Sequence, residues 1–322
     1  MTMHLSEKLV VLGTGGTIAG TASNGADNLS YQAAQLSVHD LLLGLPGLSG
    51  ALAGRTLVTE QVAQIDSKDM SFGVWQQLAL RVSHHLAQDD VRGIVITHGT
   101  DTLEETAYFL HAVLPAGLLA AKPVVLTCAM RPASSLAPDG PQNLMDALSV
   151  ASTLGAFGVL TVCAGMVYGA VAVQKVHPYR LEAFSSGEVG PVGYVEEGRL
   201  RLVTNWPALP VNDAQLSLER LAKLSHWPRV EIVMNYAGAS GAIVDALLAC
   251  SVQGLVVAGT GNGSVHTDLE GALLRAQVAG VKVVLATRCS SGRVLPTPTA
   301  LFPDSQGLSP VKARVALMLA LL

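Results

Sequence analysis

Aromatic residues make up only 4% of the chain and charged residues only 14%, against a hydrophobic fraction of 50%. A core with so few large rings has to be filled by Ala, Val, Leu and Ile. There is no basic run and no interleaving of basic with aromatic residues, and the net charge is −4. Nucleic acid and acidic membrane surfaces are therefore not expected as partners. No uninterrupted apolar run of about 18 residues occurs, so no segment reads as a bilayer-spanning helix. The four cysteines, Cys128, Cys163, Cys250 and Cys289, form no C-x-x-C pair, which excludes a zinc ribbon or a dithiol redox motif. Widely spaced thiols of this kind read as reduced and buried. His84 and His85 have no partner four residues away, and His98 reads as a hydrogen-bonded structural residue, so no metal site is spaced correctly. No metal and no organic cofactor is expected. The N-terminal residues carry no signal-like apolar segment before the first strand, which points to the cytoplasm.

What the chain does contain is punctuation and alternation. Its 322 residues include 32 Gly and 15 Pro, enough length for about two domains and many turns. Short apolar runs at 8–12, 93–97, 123–127, 158–162 and 170–173 alternate with helical patterns near 74–88, 102–113 and 142–154. In the second of these helices, Asp101 or Thr102 can cap the N-terminus, with Glu104 or Glu105 completing a capping box. After a Trp- and Pro-containing stretch the alternation resumes: strands 230–235, 254–258 and 282–286, helices 241–250, 267–279 and 310–321. The pattern predicts an α/β protein. A large N-terminal domain, 1–203, would hold a mainly parallel sheet flanked by helices. A linker, 204–228, would lead to a smaller C-terminal α/β domain, 229–322.

Two segments place a threonine just beyond an apolar strand: Gly13-Thr14-Gly15-Gly16-Thr17-Ile18-Ala19-Gly20 and Thr97-His98-Gly99-Thr100-Asp101-Thr102-Leu103-Glu104-Glu105-Thr106. Carboxyl ends of strands in a parallel sheet are where ligands bind, so the pair suggests one composite site. The glycine-rich turn by itself fits catalysis, anion binding or plain turn geometry. As a dinucleotide fingerprint it is loose, because Ile18 occupies the place of the third glycine, and it lacks the Gly-Lys-Ser/Thr of a phosphate loop.

With both segments intact, the chain resembles the bacterial-type L-asparaginases, the family that includes the glutaminase-asparaginases. The similarity continues through Glu60–Met70, Ala129-Met130-Arg131-Pro132, Asp139-Gly140-Pro141, Gly190–Tyr194, Gly259-Thr260-Gly261-Asn262-Gly263 and Lys312-Ala313-Arg314. The resemblance implies an amidohydrolase that converts L-asparagine to L-aspartate and ammonia, with some glutaminase activity. It implies Thr17 as nucleophile, Tyr31 on a flexible lid assisting it, and Thr100, Asp101 and Lys175 as a second hydroxyl–carboxylate–amine group. In that group a partly desolvated Lys175 would act on the Thr100 hydroxyl while Asp101 balances the amine.

It further implies substrate contacts from Asp66, Ser67, Lys68, Gly99 and Ala129, and from Ser264 of a neighbouring subunit in a homodimer or homotetramer. Lys68 departs from the Gln or Glu common at its position, and an inward ammonium would repel the substrate's own α-ammonium. The loop after Arg293-Val294-Leu295-Pro296 is shorter than in the family, leaving Asp304 as the candidate for an acid donated between subunits. Two other readings remain: an asparaginase-like subunit of a tRNA amidotransferase, and a non-catalytic amino-acid-binding module. A nucleotide-binding dehydrogenase is disfavoured by Ile18.

Overall fold

The computed structural model describes residues 7–210 and 218–322, which form two compact units dividing at Asp213/Ala214. In the first unit β1 (Lys8–Gly15) is followed by α1 (Val38–Leu43), α2 (Leu48–Leu52), β2 (Thr56–Ile65) and α3 (Phe72–Leu86). Then come β3 (Val91–Thr97), α4 (Leu103–Val113), α5 (Ala116–Ala121), β4 (Pro123–Thr127) and α6 (Gly140–Ser152). The unit continues with β5 (Gly158–Cys163), β6 (Met166–Gly169), the short pair β7 (Gln174–Lys175) and β8 (Phe184–Ser185), and the hairpin β9 (Gly193–Glu196) with β10 (Arg199–Leu202).

Eight strands form one sheet in the order β10-β9-β6-β5-β4-β3-β1-β2. Five of them, β2-β1-β3-β4-β5, are mutually parallel, and β6, β9 and β10 continue it antiparallel. Buried on both faces, β1 reads as a continuous apolar run, as the central strand of a covered parallel sheet must. Leu9 and Val11 pack with Leu144, Ala147, Leu148 and Ala151 of α6. The alternate residues Val10 and Leu12 are equally inaccessible, and α3, α4 and α5 also lie against the sheet. The scarcity of rings is met by one stacked pair, Trp75 and Phe109, with centroids 4.8 Å apart. The indole Nε1–H donates to Thr106 Oγ1 at 2.8 Å, so the large side chain is buried with its polar atom satisfied.

The second unit contains α7 (Leu218–Ala222), β11 (Val230–Met234), α8 (Ala242–Ala249), β12 (Gly254–Gly259), α9 (Thr267–Val278), β13 (Lys282–Thr287) and α10 (Pro310–Ala320). Its three strands are parallel in the order β11-β12-β13. Leu255 and Val257 join Val244, Leu269 and Leu273 in one core, while α10 lies along all three strands.

Several sequence expectations are corrected. Residues 170–173 are a turn, and the strand lies just before them at Met166–Gly169, where Val167 and Tyr168 pair antiparallel with β5. The proposed linker 204–228 contains a helical turn, α7, while residues 211–217 of that linker lie outside the described residues. Thr102 is the N-cap of α4, yet its side chain makes no capping bond. Its hydroxyl donates to the Ser67 carbonyl instead, at 2.8 Å, and Glu104 Oε1 accepts the Lys175 backbone N–H at 3.2 Å. The capping groups are diverted to joining separate segments. Cys128 and Cys163 are buried free thiols, but Cys250 and Cys289 are exposed.

The order β2-β1-β3-β4-β5 reverses direction at β1, because the chain leaves β1 for β2 on one side and returns to β3 on the other. That reversal opens the crevice at the strand ends where ligands of parallel α/β sheets bind. The turns after β1 and β3 meet there through two glycines. Gly16 has φ 82°, and a Cβ on it would lie 2.3 Å from Gly99 Cα. A Cβ on Gly99 would lie 2.4 Å from Ser67 Oγ. Neither position has room for a side chain, so the segments 13–17, 66–69 and 98–102 are held in backbone contact.

Gly54 has almost the same φ, 81°, but a Cβ there would meet nothing within 4 Å. Gly54→Ala should therefore cost only backbone strain, roughly 1–2 kcal/mol. Gly16→Ala should cost clearly more, because it adds overlap with fixed backbone. Equal losses of stability in urea melts would refute the contact constraint.

Two histidines, one buried and one half-buried, generate a second expectation. Burial pushes His98 down to about 4, partly opposed by its bond to the Gly99 carbonyl, and burial pushes His111 down to about 4 as well. Both are neutral in the folded chain while the unfolded chain takes up protons near the ordinary histidine value. Their contribution is complete above about pH 6.5 and is lost as pH falls toward 4, on the order of 2–3 kcal/mol each. Urea midpoints measured from pH 7 to 5, where most carboxylates stay ionised, should fall, and the slope should be shallower in His111→Leu. An unchanged slope in that variant would exclude His111 as a contributor.

Candidate active site

The turn after β1 is built to present Thr17. Gly15 and Gly16 both take positive φ, 101° and 82°, and the Gly16 N–H donates to the Ile65 carbonyl at 2.8 Å. The chain then enters a single 3₁₀ turn, Thr17–Ala19, directly beyond the sheet. Ile18 and Ala19 pack with Ala129 beyond β4, which anchors the turn and leaves the Thr17 side chain for the crevice. The large Ile18 is thus a packing residue, as its poor fit to a dinucleotide turn implied. Thr14, two residues before this bend, is structural: its hydroxyl donates to the Thr97 carbonyl at 2.9 Å, tying β1 to β3.

Thr17 is 7% exposed, and its Oγ1 lies 2.7 Å from the Tyr31 hydroxyl. Tyr31 is held above the ordinary tyrosine range, first by burial and also by the carboxylates of Asp66 and Asp101, with the Thr17 bond opposing. At neutral pH the residue is a phenol, so it can pass a proton on but is not a standing phenolate base.

The second group assembles from β3 and β7, 75 residues apart. Lys175 Nζ donates to Thr100 Oγ1 at 2.8 Å and to Asp101 Oδ1 at 2.7 Å. The Thr100 hydroxyl is 3.5 Å from the same carboxylate oxygen. Lys175 is kept in place by its backbone bond to Glu104 and by pairing with Phe184 of β8. The Tyr168 hydroxyl in turn donates to the Phe184 carbonyl at 2.9 Å. Glu104 was read from sequence only as a capping residue and Tyr168 was not singled out, since nothing in a linear pattern says which backbone atoms they will meet.

Ser67 is buried beneath this pair, its Oγ accepting the Asp101 N–H at 3.2 Å. Asp66 accepts the Lys68 backbone N–H, opening a short 3₁₀ turn. Lys68 turns to solvent: its side chain is 61% exposed, with the ammonium paired with Asp69 and 3.9 Å from Asp66. Its pKa is raised, chiefly by the Asp69 bond. Gly99 contacts Gly16 and Ser67 as described, and its carbonyl takes a bond of 2.7 Å from His98 Nδ1, which fixes that ring's tautomer. Ala129 is fully buried at the end of β4. The first unit therefore brings together Thr17, Tyr31, Asp66, Ser67, Lys68, Gly99, Thr100, Asp101, Ala129 and Lys175. Ser264 belongs to the second unit, exposed in the turn after β12, where it exchanges backbone bonds with Thr260. Asp304 accepts the Gln306 N–H at 2.6 Å and so shapes its own turn.

Among the described residues no group of three or more His, Cys, Asp or Glu side chains is placed to hold a metal ion. The arrangement has instead two hydroxyls, each with a different proton partner, in one crevice. Such pairs suit nucleophilic attack at a carbonyl followed by water attack on the resulting ester.

Comparison with known proteins agrees with this chemistry. Residues 8–208 match the family model "Asparaginase, N-terminal", and residues 229–322 match "Glutaminase/Asparaginase C-terminal domain". The chain is 35% identical to L-asparaginase 2 of Bacillus subtilis, over 97% of this chain and 81% of that protein. It is 36% identical to glutaminase-asparaginase of Pseudomonas fluorescens, over 97% and 86% of the two chains. L-asparaginase 2 of Escherichia coli shares 35%, over 97% and 88%. The crystal structure of a probable cytoplasmic L-asparaginase from Campylobacter jejuni superposes with TM-score 0.89 at 34% identity, covering 98% of this chain and 95% of that one. Matched by family models over both of its units, this chain belongs to the asparaginase family.

Proposed function

We propose that the chain hydrolyses L-asparagine to L-aspartate and ammonia, with Thr17 as the nucleophile and L-glutamine as a minor substrate. The observation that carries this reading is the pairing of Thr17 with Tyr31 beside a Thr100–Lys175–Asp101 group at the sheet's reversal point. Thr17 Oγ1 attacks the side-chain amide carbon. Its proton passes to Tyr31, which releases its own proton to the departing nitrogen, so the phenol is regenerated. The C–N bond breaks, ammonia leaves, and an ester on Thr17 remains. Backbone N–H groups of the glycine-rich turns stabilise the developing oxyanion.

Water then cleaves the ester. For Lys175 to take a proton from Thr100 or from that water, Nζ must first give one up, and Asp101 at 2.7 Å is the acceptor in place. Asp101 and Asp66 supply negative charge for the substrate α-ammonium. The Ser67 hydroxyl, whose oxygen accepts from Asp101 N–H, keeps its own proton to donate to the α-carboxylate. The Gly99 and Ala129 backbones line the same crevice, Ala129 beside the amide or the attacking water. The binding-module reading gains nothing from this site, which retains both hydroxyl groups and their partners, and the relatives named as asparaginases do not favour the amidotransferase reading.

Self-association to a homodimer or homotetramer, with Ser264 contributing across subunits, accompanies this reading. It is supported by exposed apolar side chains in the first unit, Val176, Tyr179 and Val189 among them. A cytoplasmic location is proposed from the similarity to the Campylobacter protein. Among the described residues no helix is long and apolar enough to cross a membrane.

Ammonia release from L-asparagine, L-glutamine and D-asparagine tests the assignment. Thr17→Ala and Thr100→Ala should each lose more than about a hundredfold in kcat. Mass spectrometry of acid-quenched enzyme should place the acyl adduct on the peptide containing Thr17. An adduct on Thr100 would reverse the two roles, and undiminished turnover in both variants would end the mechanism. Lys68→Gln removes an exposed ammonium 3.9 Å from Asp66 that repels the substrate α-ammonium held there. It should lower KM by about twofold to fivefold with kcat unchanged; an unaltered KM would show that Lys68 does not bear on binding.

A further inference from the structure

Tyr31 reaches Thr17 from the segment 20–32, and that segment is fastened to a second loop more than 100 residues away. The Ala133 N–H donates to the Gly20 carbonyl at 2.9 Å, and the Leu136 N–H donates to the Gly25 carbonyl at 3.0 Å. Between these two bonds, the Ala22 N–H donates to the Ser134 hydroxyl at 2.7 Å, in partly buried surroundings. The base of the segment is closed by the mutual backbone bonds of Thr21 and Gln32, both 2.9 Å. Its tip is shaped by Asp27, which accepts from Leu29 and Ser30, and by Asn24, which accepts from Ala26. The segment is thus an internally ordered flap, and the 131–137 loop is what it rests against.

That loop is itself fixed from one residue. The Asp139 carboxylate accepts the Met130 and Arg131 N–H groups, each at 2.9 Å, and an Asn143 Nδ2–H at 3.2 Å. Asn143 also donates to the Cys128 carbonyl and accepts from the Ala164 N–H, which ties the arrangement to the ends of β4 and β5. Rigidity therefore passes from the sheet through Asp139 to the loop, and from Ser134 to the flap that carries Tyr31.

We infer that Ser134 is a positioning residue for the reaction, latching the 20–32 segment so that Tyr31 stays on Thr17, and that Asp139 fixes the loop bearing the latch. The inference rests on the assignment of Tyr31 to Thr17 made above. Ser134 touches neither hydroxyl of the site; it acts through the Ala22 backbone. Opening of the 20–32 segment breaks the Ala22–Ser134 bond, and closing it remakes that bond. Of the three bonds between flap and loop, it alone depends on a side chain and can be removed by mutation without altering the backbone.

Hydrogen exchange followed by mass spectrometry reads the latch without reference to turnover. In Ser134→Ala the peptides covering residues 20–32 should exchange about fivefold faster, the loss expected for one ordinary hydrogen bond. Peptides from α6 should not change. Steady-state kinetics with L-asparagine should show kcat/KM lowered by a similar factor, because both closure over the substrate and the placement of Tyr31 on Thr17 are weakened. Ser134→Thr, which keeps the hydroxyl, should restore both readings. Asp139→Asn, a weaker acceptor of similar shape, should act in the same direction as Ser134→Ala.

Unchanged exchange of the flap in Ser134→Ala would overturn the inference, as would an unchanged kcat/KM or a failure of Ser134→Thr to rescue. If instead Thr17→Ala retained full ammonia release, the functional assignment would fail while the exchange result stood on its own.

Discussion

The site depends on a contact between two backbones that carry no side chains. Gly16 and Gly99 close the ends of β1 and β3 so tightly that a single methyl on either would overlap the opposing chain or Ser67. Because the two strands are neighbours in the sheet, the threonines that follow the glycines are delivered to one crevice. Each arrives from a different turn and therefore with a different set of proton partners. A wider turn at either place would separate the two hydroxyls. The positive φ at Gly15 and Gly16 is the conformational requirement that makes the narrow turn possible.

Around that contact the charges are arranged with little redundancy. One amine, Lys175, is shared between a hydroxyl and a carboxylate. Burial keeps Tyr31 a phenol and His98 a neutral imidazole. His98 therefore adds no charge beside Thr100, while its Nδ1–H steadies the Gly99 carbonyl. Two side chains that could have capped α4 are used to join segments, Thr102 to Ser67 and Glu104 to Lys175, and the Asp101 N–H is taken up by Ser67. These bonds hold the turn after β3, the 66–69 turn and β7 together.

Where sequence reading succeeded and failed follows from the range of the interactions involved. Strands buried on both faces, such as β1 and β3, are continuous apolar runs and were legible. β2 was missed because it is an edge strand whose residues, Glu60 and Gln61 among them, are mostly half-exposed. The run at 170–173 looked like a strand because it is apolar, and Ala170 and Val173 are indeed buried, but in the turn that follows β6. The cysteines divided for the same reason. Cys128 and Cys163 sit at adjacent strand ends, whereas Cys250 and Cys289 lie in exposed turns that local hydropathy does not distinguish.

Local chemistry alone was enough to specify the α/β alternation, the two glycine-rich turns and the candidate threonines, since each is written within about ten consecutive residues. Which atoms meet was settled by packing across long separations. The meeting of Lys175 with Thr100, of Ser67 with Asp101, and of Ser134 with Ala22 depends on strand order and on backbone approach distances. The outward turn of Lys68 depends on Asp69, which sits beside it in sequence but faces the same solvent only once the 3₁₀ turn has formed. Hydrogen bonds are decided within a few tenths of an ångström, and a linear pattern carries no information at that scale until the sheet has fixed the ends of its strands.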